Sequence, residues 1–84
     1  MYTLIISKSA EKSLSALPDK MYRRILPAIR SLADEPHPPG CKKLKGVDNL
    51  YRLREGDYRV VYSVEDRVLR VIVLAIGHRK DVYE

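Results

Sequence analysis

Positive charge is concentrated in the middle of the chain. Residues 42–59 carry six basic and three acidic side chains, whereas residues 1–41 carry six and four, and residues 60–84 carry four and four. The basic residues of the middle segment are Lys42, Lys43, Lys45, Arg52, Arg54 and Arg59. Cationic side chains gathered on one surface attract polyanions, and a guanidinium matches the geometry of a phosphate. The segment therefore predicts either a nucleic-acid site or a solvated basic surface.

Spacing along two predicted strands brings three of these arginines to one surface. Side chains of a strand alternate between its two faces. We expect the apolar Leu53 and Val60 to face a helical layer. Arg52, Arg54 and Arg59 then share the opposite surface of the sheet, which we call the outer face. Neighbouring guanidiniums repel one another, so their natural counter-ion is a phosphate chain. The lysines at 42, 43 and 45 are expected to make outer phosphate contacts.

Other side chains that could do chemistry are few. His78 follows a glycine at a predicted strand end. Histidine often donates protons in catalysis, so His78 is either a general acid or a surface histidine. Cys41 is the only cysteine, which excludes an internal disulfide and a zinc site of CxxC type. A two-metal nuclease needs several carboxylates on rigid elements, whereas Asp48, Glu55 and Asp57 fall in predicted loops. The sequence predicts no metal site and no cofactor.

The first half of the chain predicts one strand and two helices. Tyr2–Ile6 is rich in strand-forming residues. Ser9 is the expected N-cap of a short helix that Pro18 ends, and Asp19 is the expected cap of a second helix. The apolar stripe of the second helix consists of Met21, Ile25, Ile29 and Leu32. Pro27 lies within this stripe, so we expect one bent helix.

The second half predicts a β-meander. A stiff proline-rich connector at 36–40 leads to a basic loop at 42–45. The predicted strands are Leu50–Arg54, Tyr58–Val64 and Arg67–Ile76, joined by turns at 55–57 and 65–66. The last strand is apolar at nearly every position, which favours an interior place in the sheet.

These elements predict an α+β fold with two layers. An N-terminal strand and two helices precede a largely antiparallel β-meander, and the helices cover one face of the sheet. Tyr58 and Tyr62 alternate with Val60 and are expected in the core. Since the chain has only 84 residues, we expect a single domain over residues 1–84.

Composition limits the class of protein. The chain is 45% hydrophobic and 32% charged with a net charge of +5, which is typical of a globular protein. The longest apolar run, Val71–Ile76, is far shorter than the ~20 residues of a membrane helix. The N-terminus has no basic segment or cleavage site typical of a secretory signal. We therefore expect a soluble, cytoplasmic protein with no membrane partner.

Two segments resemble a known family. The run YRLREGDYRVVY at 51–62 and the ending GHRKDVYE at 77–84 resemble the RelE/ParE superfamily of bacterial toxins, on its RelE side. The resemblance extends over the first strand, the helices and the connector. It implies the RelE-like fold and a toxin of a type II toxin–antitoxin system. It also implies a ribosome-dependent mRNA endonuclease that cleaves in the A site and inhibits translation.

The resemblance further implies a mechanism and site residues. The ribose 2′-OH attacks the adjacent phosphate without a metal ion, which leaves a 2′,3′-cyclic phosphate or 3′-phosphate and a 5′-OH. Arg59, Arg79 and Tyr83 fall on catalytic positions of the family, and Arg52 and Arg54 on basic positions of an RNA-binding strand. Tyr83 acts either as the general base or as a residue that stacks on a nucleobase.

The resemblance also implies binding partners for the toxin, and it leaves two alternative functions open. The expected partners are a cognate RelB-like antitoxin, the ribosome and mRNA, with operator DNA bound only by the toxin–antitoxin complex. One alternative is a ParE-like inhibitor of DNA gyrase without RNase activity. Another is a degenerate homologue that binds only its antitoxin and operator DNA.

Overall fold

The computed structural model describes residues 1–78, and in this part of the chain two helices pack on one five-stranded sheet. The strands are β1 (Thr3–Ile6), β2 (Lys42–Lys43), β3 (Leu50–Glu55), β4 (Tyr58–Glu65) and β5 (Arg70–His78). The helices are α1 (Lys8–Ser15) and α2 (Asp19–Ser31). The strand order is β1-β5-β4-β3-β2, with β1 parallel to β5 and all other pairs antiparallel. The predicted α+β fold with two layers is confirmed.

Both predicted helix caps were wrong. The N-cap of α1 is Ser7, whose Oγ accepts a hydrogen bond from the backbone N–H of Ala10 at 3.1 Å. The N-cap of α2 is Pro18, and Asp19 is the first helical residue, where a carboxylate interacts favourably with the helix dipole. As predicted, α2 is one helix that runs through Pro27. Neither helix of the described residues is long and apolar enough to cross a membrane.

The hydrophobic core lies between the helices and the inner face of the sheet. It contains Ala10, Leu14, Ile25, Ile29, Leu32, Leu53, Val60, Tyr62, Val64, Val71, Val73 and Ile76. Tyr62 is fully buried as predicted, and its hydroxyl donates a hydrogen bond to the Pro36 carbonyl at 2.8 Å. Tyr58 is partly buried at the border of the core. The apolar positions of β3 and β4 therefore face the helices, as their alternation predicts.

The second half differs from expectation in its strand ends and in the basic loop. β3 includes Glu55, which was predicted in a turn, and β5 ends at His78 instead of Ile76. The predicted basic loop contains the two-residue strand β2, which pairs with Tyr51 and Arg52 of β3. The turn before β5 covers 66–69 instead of 65–66, and β5 begins at Arg70. Leu69 has a φ of 50°, which lies outside the strand region, so β5 cannot begin before Arg70. The Leu69 carbonyl accepts a hydrogen bond from the N–H of Thr3 at 2.7 Å. The interior position of β5 is confirmed, since it lies between β1 and β4.

Candidate nucleic-acid interface

The strand register brings the three arginines of β3 and β4 together. Arg54 lies directly opposite Arg59, and Arg52 lies on the same strand two residues before Arg54. The neighbouring pair, Leu53 and Val60, belongs to the core cluster on the inner face. Since strand residues alternate between faces, the three arginines share the outer face. The prediction that the three arginines share one face of the sheet is confirmed.

A tight turn sets this register. β3 ends at Glu55 and β4 begins at Tyr58, so only Gly56 and Asp57 connect the two strands. Gly56 has a φ of +60°, a conformation that a two-residue hairpin turn requires and that glycine adopts without strain. The turn therefore holds Arg54 and Arg59 at the closed end of a hairpin.

The arginines differ in exposure. Arg54 is exposed, whereas Arg52 and Arg59 are only 8% and 6% exposed. Side-chain alternation predicted one face for the three arginines but did not predict the low exposure of Arg52 and Arg59. Arg52 lies opposite Val61, which is itself 8% exposed and lies outside the core cluster. An arginine stem packs favourably against such an aliphatic neighbour while its guanidinium keeps polar contacts.

The three lysines extend the basic surface at the sheet edge. Lys42 lies opposite Arg52 and so belongs to the outer face, whereas Lys43 lies opposite Tyr51. Lys42, Lys43 and Lys45 are exposed. Together with Leu44 and Arg52 they line a shallow cleft of about 290 Å³. The cleft has the charge and the exposure that contacts to phosphates need.

The predicted general acid His78 does not join this group. His78 lies opposite Tyr58, and the centres of the two rings are 5.5 Å apart in an edge-to-face arrangement. Its neighbour Gly77 is the residue opposite Arg59, so His78 projects to the inner face. The sheet therefore separates His78 from the arginines. Arg79 and Tyr83 lie outside the described residues.

Several acidic side chains in the described part of the chain lie in exposed turns or bind an arginine outside this group. Asp48 and Asp57 are exposed in turns. Glu65 binds Arg70 through two hydrogen bonds of 3.0 and 3.1 Å, which lower the pKa of Glu65 and raise that of Arg70. This pair lies six residues along β4 from Arg59, which is about 20 Å. Within residues 1–78 no three His, Cys, Asp or Glu side chains are grouped so that they could hold a metal ion.

One contact near the site was missed from the sequence. Arg24 of α2 donates a hydrogen bond from Nη2 to Oε1 of Glu55 at 2.9 Å. The two residues are 31 positions apart, and no local pattern links them. The only available signal was the position of Arg24 outside the apolar stripe of its helix.

Comparison with known proteins agrees with this fold. A family model described as the ParE toxin of the type II toxin–antitoxin system parDE matches residues 4–83. Toxin RelE of Mycobacterium tuberculosis is 31% identical over 98% of this chain and 86% of its own length. Toxin RelG of the same organism is 28% identical over 98% of this chain and 95% of its own length. A chain of the archaeal RelE–RelB complex from Pyrococcus horikoshii has 37% identity and a TM-score of 0.83, and the match covers 96% of this chain and 98% of that chain.

The fold is thus that of RelE structures, an α+β arrangement of two helices and a five-stranded mixed sheet. The chain belongs to the RelE/ParE superfamily of toxins of type II toxin–antitoxin systems, as the sequence predicted.

Proposed function

We propose that this toxin, as a single domain over residues 1–84, is a ribosome-dependent endonuclease that cleaves mRNA in the A site and so inhibits translation. The observation that carries this proposal is the placement of Arg54 directly opposite Arg59, with Arg52 on the same face. Three adjacent cations on one surface form a site for an RNA backbone. The names of the M. tuberculosis relatives, RelE and RelG, support the RelE side of the superfamily.

The proposed reaction is a phosphoryl transfer within the RNA. The 2′-oxygen forms a bond to the adjacent phosphorus, the bond from phosphorus to the 5′-oxygen breaks, and the 2′-proton passes to a base. Fixed positive charge stabilises the phosphorane, and a well-placed donor contributes on the order of 3–4 kcal/mol. Arg59 and Arg79 are the proposed donors, and Tyr83 is the proposed base or stacking residue. Arg52, Arg54 and the cleft lysines bind the flanking phosphates.

Proton donation to the leaving 5′-oxygen is assigned to water. His78 was the sequence-based candidate for this step, and its position beside Tyr58 on the inner face gives that role no support. Water reaches an RNA that lies across an exposed surface, so the step needs no further side chain. The products are a 2′,3′-cyclic phosphate and a 5′-OH.

The proposed chemistry uses no metal ion. Glu55, the carboxylate nearest in sequence to Arg54, binds Arg24. Two-metal catalysis needs several carboxylates that converge on the scissile phosphate, whereas Asp48 and Asp57 lie in exposed turns. Positioning and fixed positive charge can drive the transfer in place of a metal.

The proposed partner is a cognate RelB-like antitoxin. The similar P. horikoshii chain comes from a RelE–RelB complex. The net charge of +5 favours an acidic, partly disordered partner. The exposed apolar side chains Ile5 and Leu74, on the neighbouring strands β1 and β5, offer such a partner additional contacts. An antitoxin bound over the outer face would block access of RNA to the arginines. Only the toxin–antitoxin complex would bind operator DNA. Both proteins would act in the cytoplasm.

A second candidate function is inhibition of DNA gyrase. The observation that favours it is the match of residues 4–83 to the ParE family model. The chain nevertheless has the arginine and tyrosine set, Arg59, Arg79 and Tyr83, that the ParE side generally lacks. We therefore place RNA cleavage first. A chain that only binds its antitoxin and operator DNA is the third candidate.

Primer extension on a defined mRNA and an assay of plasmid supercoiling, both after toxin induction, separate the three functions. RNA cleavage predicts cuts at particular codons, gyrase inhibition predicts loss of plasmid supercoiling without cuts, and a degenerate chain predicts neither. Arg59→Ala and Arg79→Ala should each abolish the cuts, because each removes a charge directed at the scissile phosphate. Arg30→Ala controls for the loss of an exposed arginine, and because Arg59 is only 6% exposed, Arg59→Ala must also keep the wild-type urea midpoint. Cuts that persist with Arg59→Ala would contradict the proposal.

A further inference from the structure

Helix α2 contacts the turn that joins the two facing arginines. Arg24 donates its hydrogen bond to the carboxylate of Glu55, and Glu55 directly follows Arg54. The side chain of Arg24 is 48% exposed and that of Glu55 is 29% exposed. The ion pair is therefore partly shielded from water, and it spans from the helical layer to the end of β3.

The guanidinium of Arg24 also lies over the turn itself. A methyl group built on Gly56 would lie 3.7 Å from Nη1 of Arg24 and 3.7 Å from Cε of Met21. Both distances are ordinary van der Waals contacts, so the space between the helix and the turn would hold about one methyl group. Arg24 thus binds the last residue of β3 and lies next to the first residue of the turn.

The β3 side of this hairpin end has few strand partners, whereas the β4 side pairs with β5 at Gly77 and His78. β2 pairs with β3 only at Tyr51 and Arg52, so within residues 1–78 the strand partner of Arg54 is β4 alone. Like charges directly opposite in a sheet are destabilising, and Arg54 faces Arg59. Strand ends with few contacts open more readily than the middle of a sheet. A contact from α2 opposes this opening.

We infer that Arg24 is a positioning residue, which acts through Glu55 to hold Arg54 and Arg59 in the arrangement that an RNA phosphate requires. The inference rests on the proposed function, because it assigns Arg24 to the RNA reaction. Small displacements of catalytic groups cost much in rate, so a contact of modest strength is expected to show in turnover.

The test compares two neighbouring arginines of the same helix. Arg24→Ala removes the contact, and Arg23→Ala is the control, because Arg23 binds Asp19 and its side chain is 79% exposed. With ribosomes and a defined mRNA, kcat of Arg24→Ala should fall roughly fivefold, which corresponds to about 1 kcal/mol, the upper value for a surface ion pair. Arg23→Ala should retain the wild-type kcat.

Exchanging the two charges gives a rescue experiment. Arg24→Glu combined with Glu55→Arg restores the ion pair and should return kcat to within about twofold of wild type. A merely structural role would not produce such a rescue in variants of equal stability. Equal kcat for Arg24→Ala and Arg23→Ala, or a double exchange no better than Arg24→Ala, would overturn the inference.

Hydrogen exchange separates this inference from the proposed function. Arg24→Ala should speed exchange of the amide protons of Glu55 and Tyr58, which pair with each other across the hairpin, and leave that of Val71, in the middle of the sheet, unchanged. If the wild-type toxin does not cut mRNA, the proposed function fails, while hydrogen exchange still tests whether Arg24 holds the hairpin. Unchanged exchange at the hairpin would overturn the positioning role, whatever the cleavage result.

Discussion

Neutralising Arg54 should stabilise the fold and weaken RNA cleavage. Arg54 is exposed and lies directly opposite Arg59, so the two positive charges repel each other. Two unit charges about 6 Å apart in water repel by about 0.7 kcal/mol. Screening at physiological salt, where the Debye length is about 8 Å, reduces this by about half. Arg54→Gln should therefore raise the free energy of unfolding by about 0.3–0.7 kcal/mol.

Urea unfolding followed by circular dichroism measures this gain. With a slope of about 1 kcal/mol per molar urea, the midpoint should rise by about 0.7 M at about 0.01 M NaCl. The gain should vanish at about 1 M NaCl, where the Debye length is about 3 Å. Arg54→Lys keeps the charge and should show no gain. A lower midpoint for Arg54→Gln, or a gain independent of salt, would refute the reasoning, since Arg54 would then serve the fold.

Three further predictions concern the core, the metal and the antitoxin. Tyr62→Phe should destabilise the protein by about 1–2 kcal/mol in urea unfolding, because the buried Pro36 carbonyl loses its donor. Tyr22→Phe, on the exposed face of α2, is the control and should cost less than about 0.5 kcal/mol. Burial raises the pKa of Tyr62 above its usual value of 10.0. The contribution of Tyr62 to the free energy of unfolding is therefore complete below pH 10 and falls above pH 10 by up to about 1.4 kcal/mol per pH unit. A Tyr62→Phe variant whose stability falls with the same alkaline slope as wild type would contradict this. Cleavage should survive chelation by EDTA at the Mg²⁺ level that ribosomes need, and a strict requirement for Mn²⁺ would count against the mechanism. Association with the antitoxin, measured by stopped flow, should slow as salt rises, and a salt-independent rate would contradict the electrostatic attraction. Tyr83→Phe should weaken cleavage far more than antitoxin binding, and unchanged cleavage would exclude Tyr83 as the base.

Local patterns predicted the layers of the fold and the arginine group. The period of two along β3 and β4 separates Leu53 and Val60 from the arginines, and this depends only on neighbouring residues. The same alternation also places His78 on the inner face of the sheet, because Ile76, two residues earlier, is a core residue.

Features that depend on distant residues could not be predicted. The parallel pairing of β1 with β5 joins residues about 67 positions apart, and β2 exists only because Arg52 and Tyr51 offer it a partner. The contact of Arg24 with Glu55 depends on how α2 lies over the sheet. The low exposure of Arg52 and Arg59 likewise follows from tertiary packing, which charge and alternation do not determine.

Cleavage of an mRNA that carries one 2′-deoxynucleotide tests the proposed mechanism most directly. Purified ribosomes would present two otherwise identical mRNAs, with and without the 2′-hydroxyl at the nucleotide on the 5′ side of the cut, to the wild-type toxin. Attack by the 2′-oxygen predicts cutting of the unmodified mRNA to a 5′-OH end and no cut at the modified position. A cut at the 2′-deoxynucleotide would show that another nucleophile attacks the phosphate, and it would contradict the mechanism.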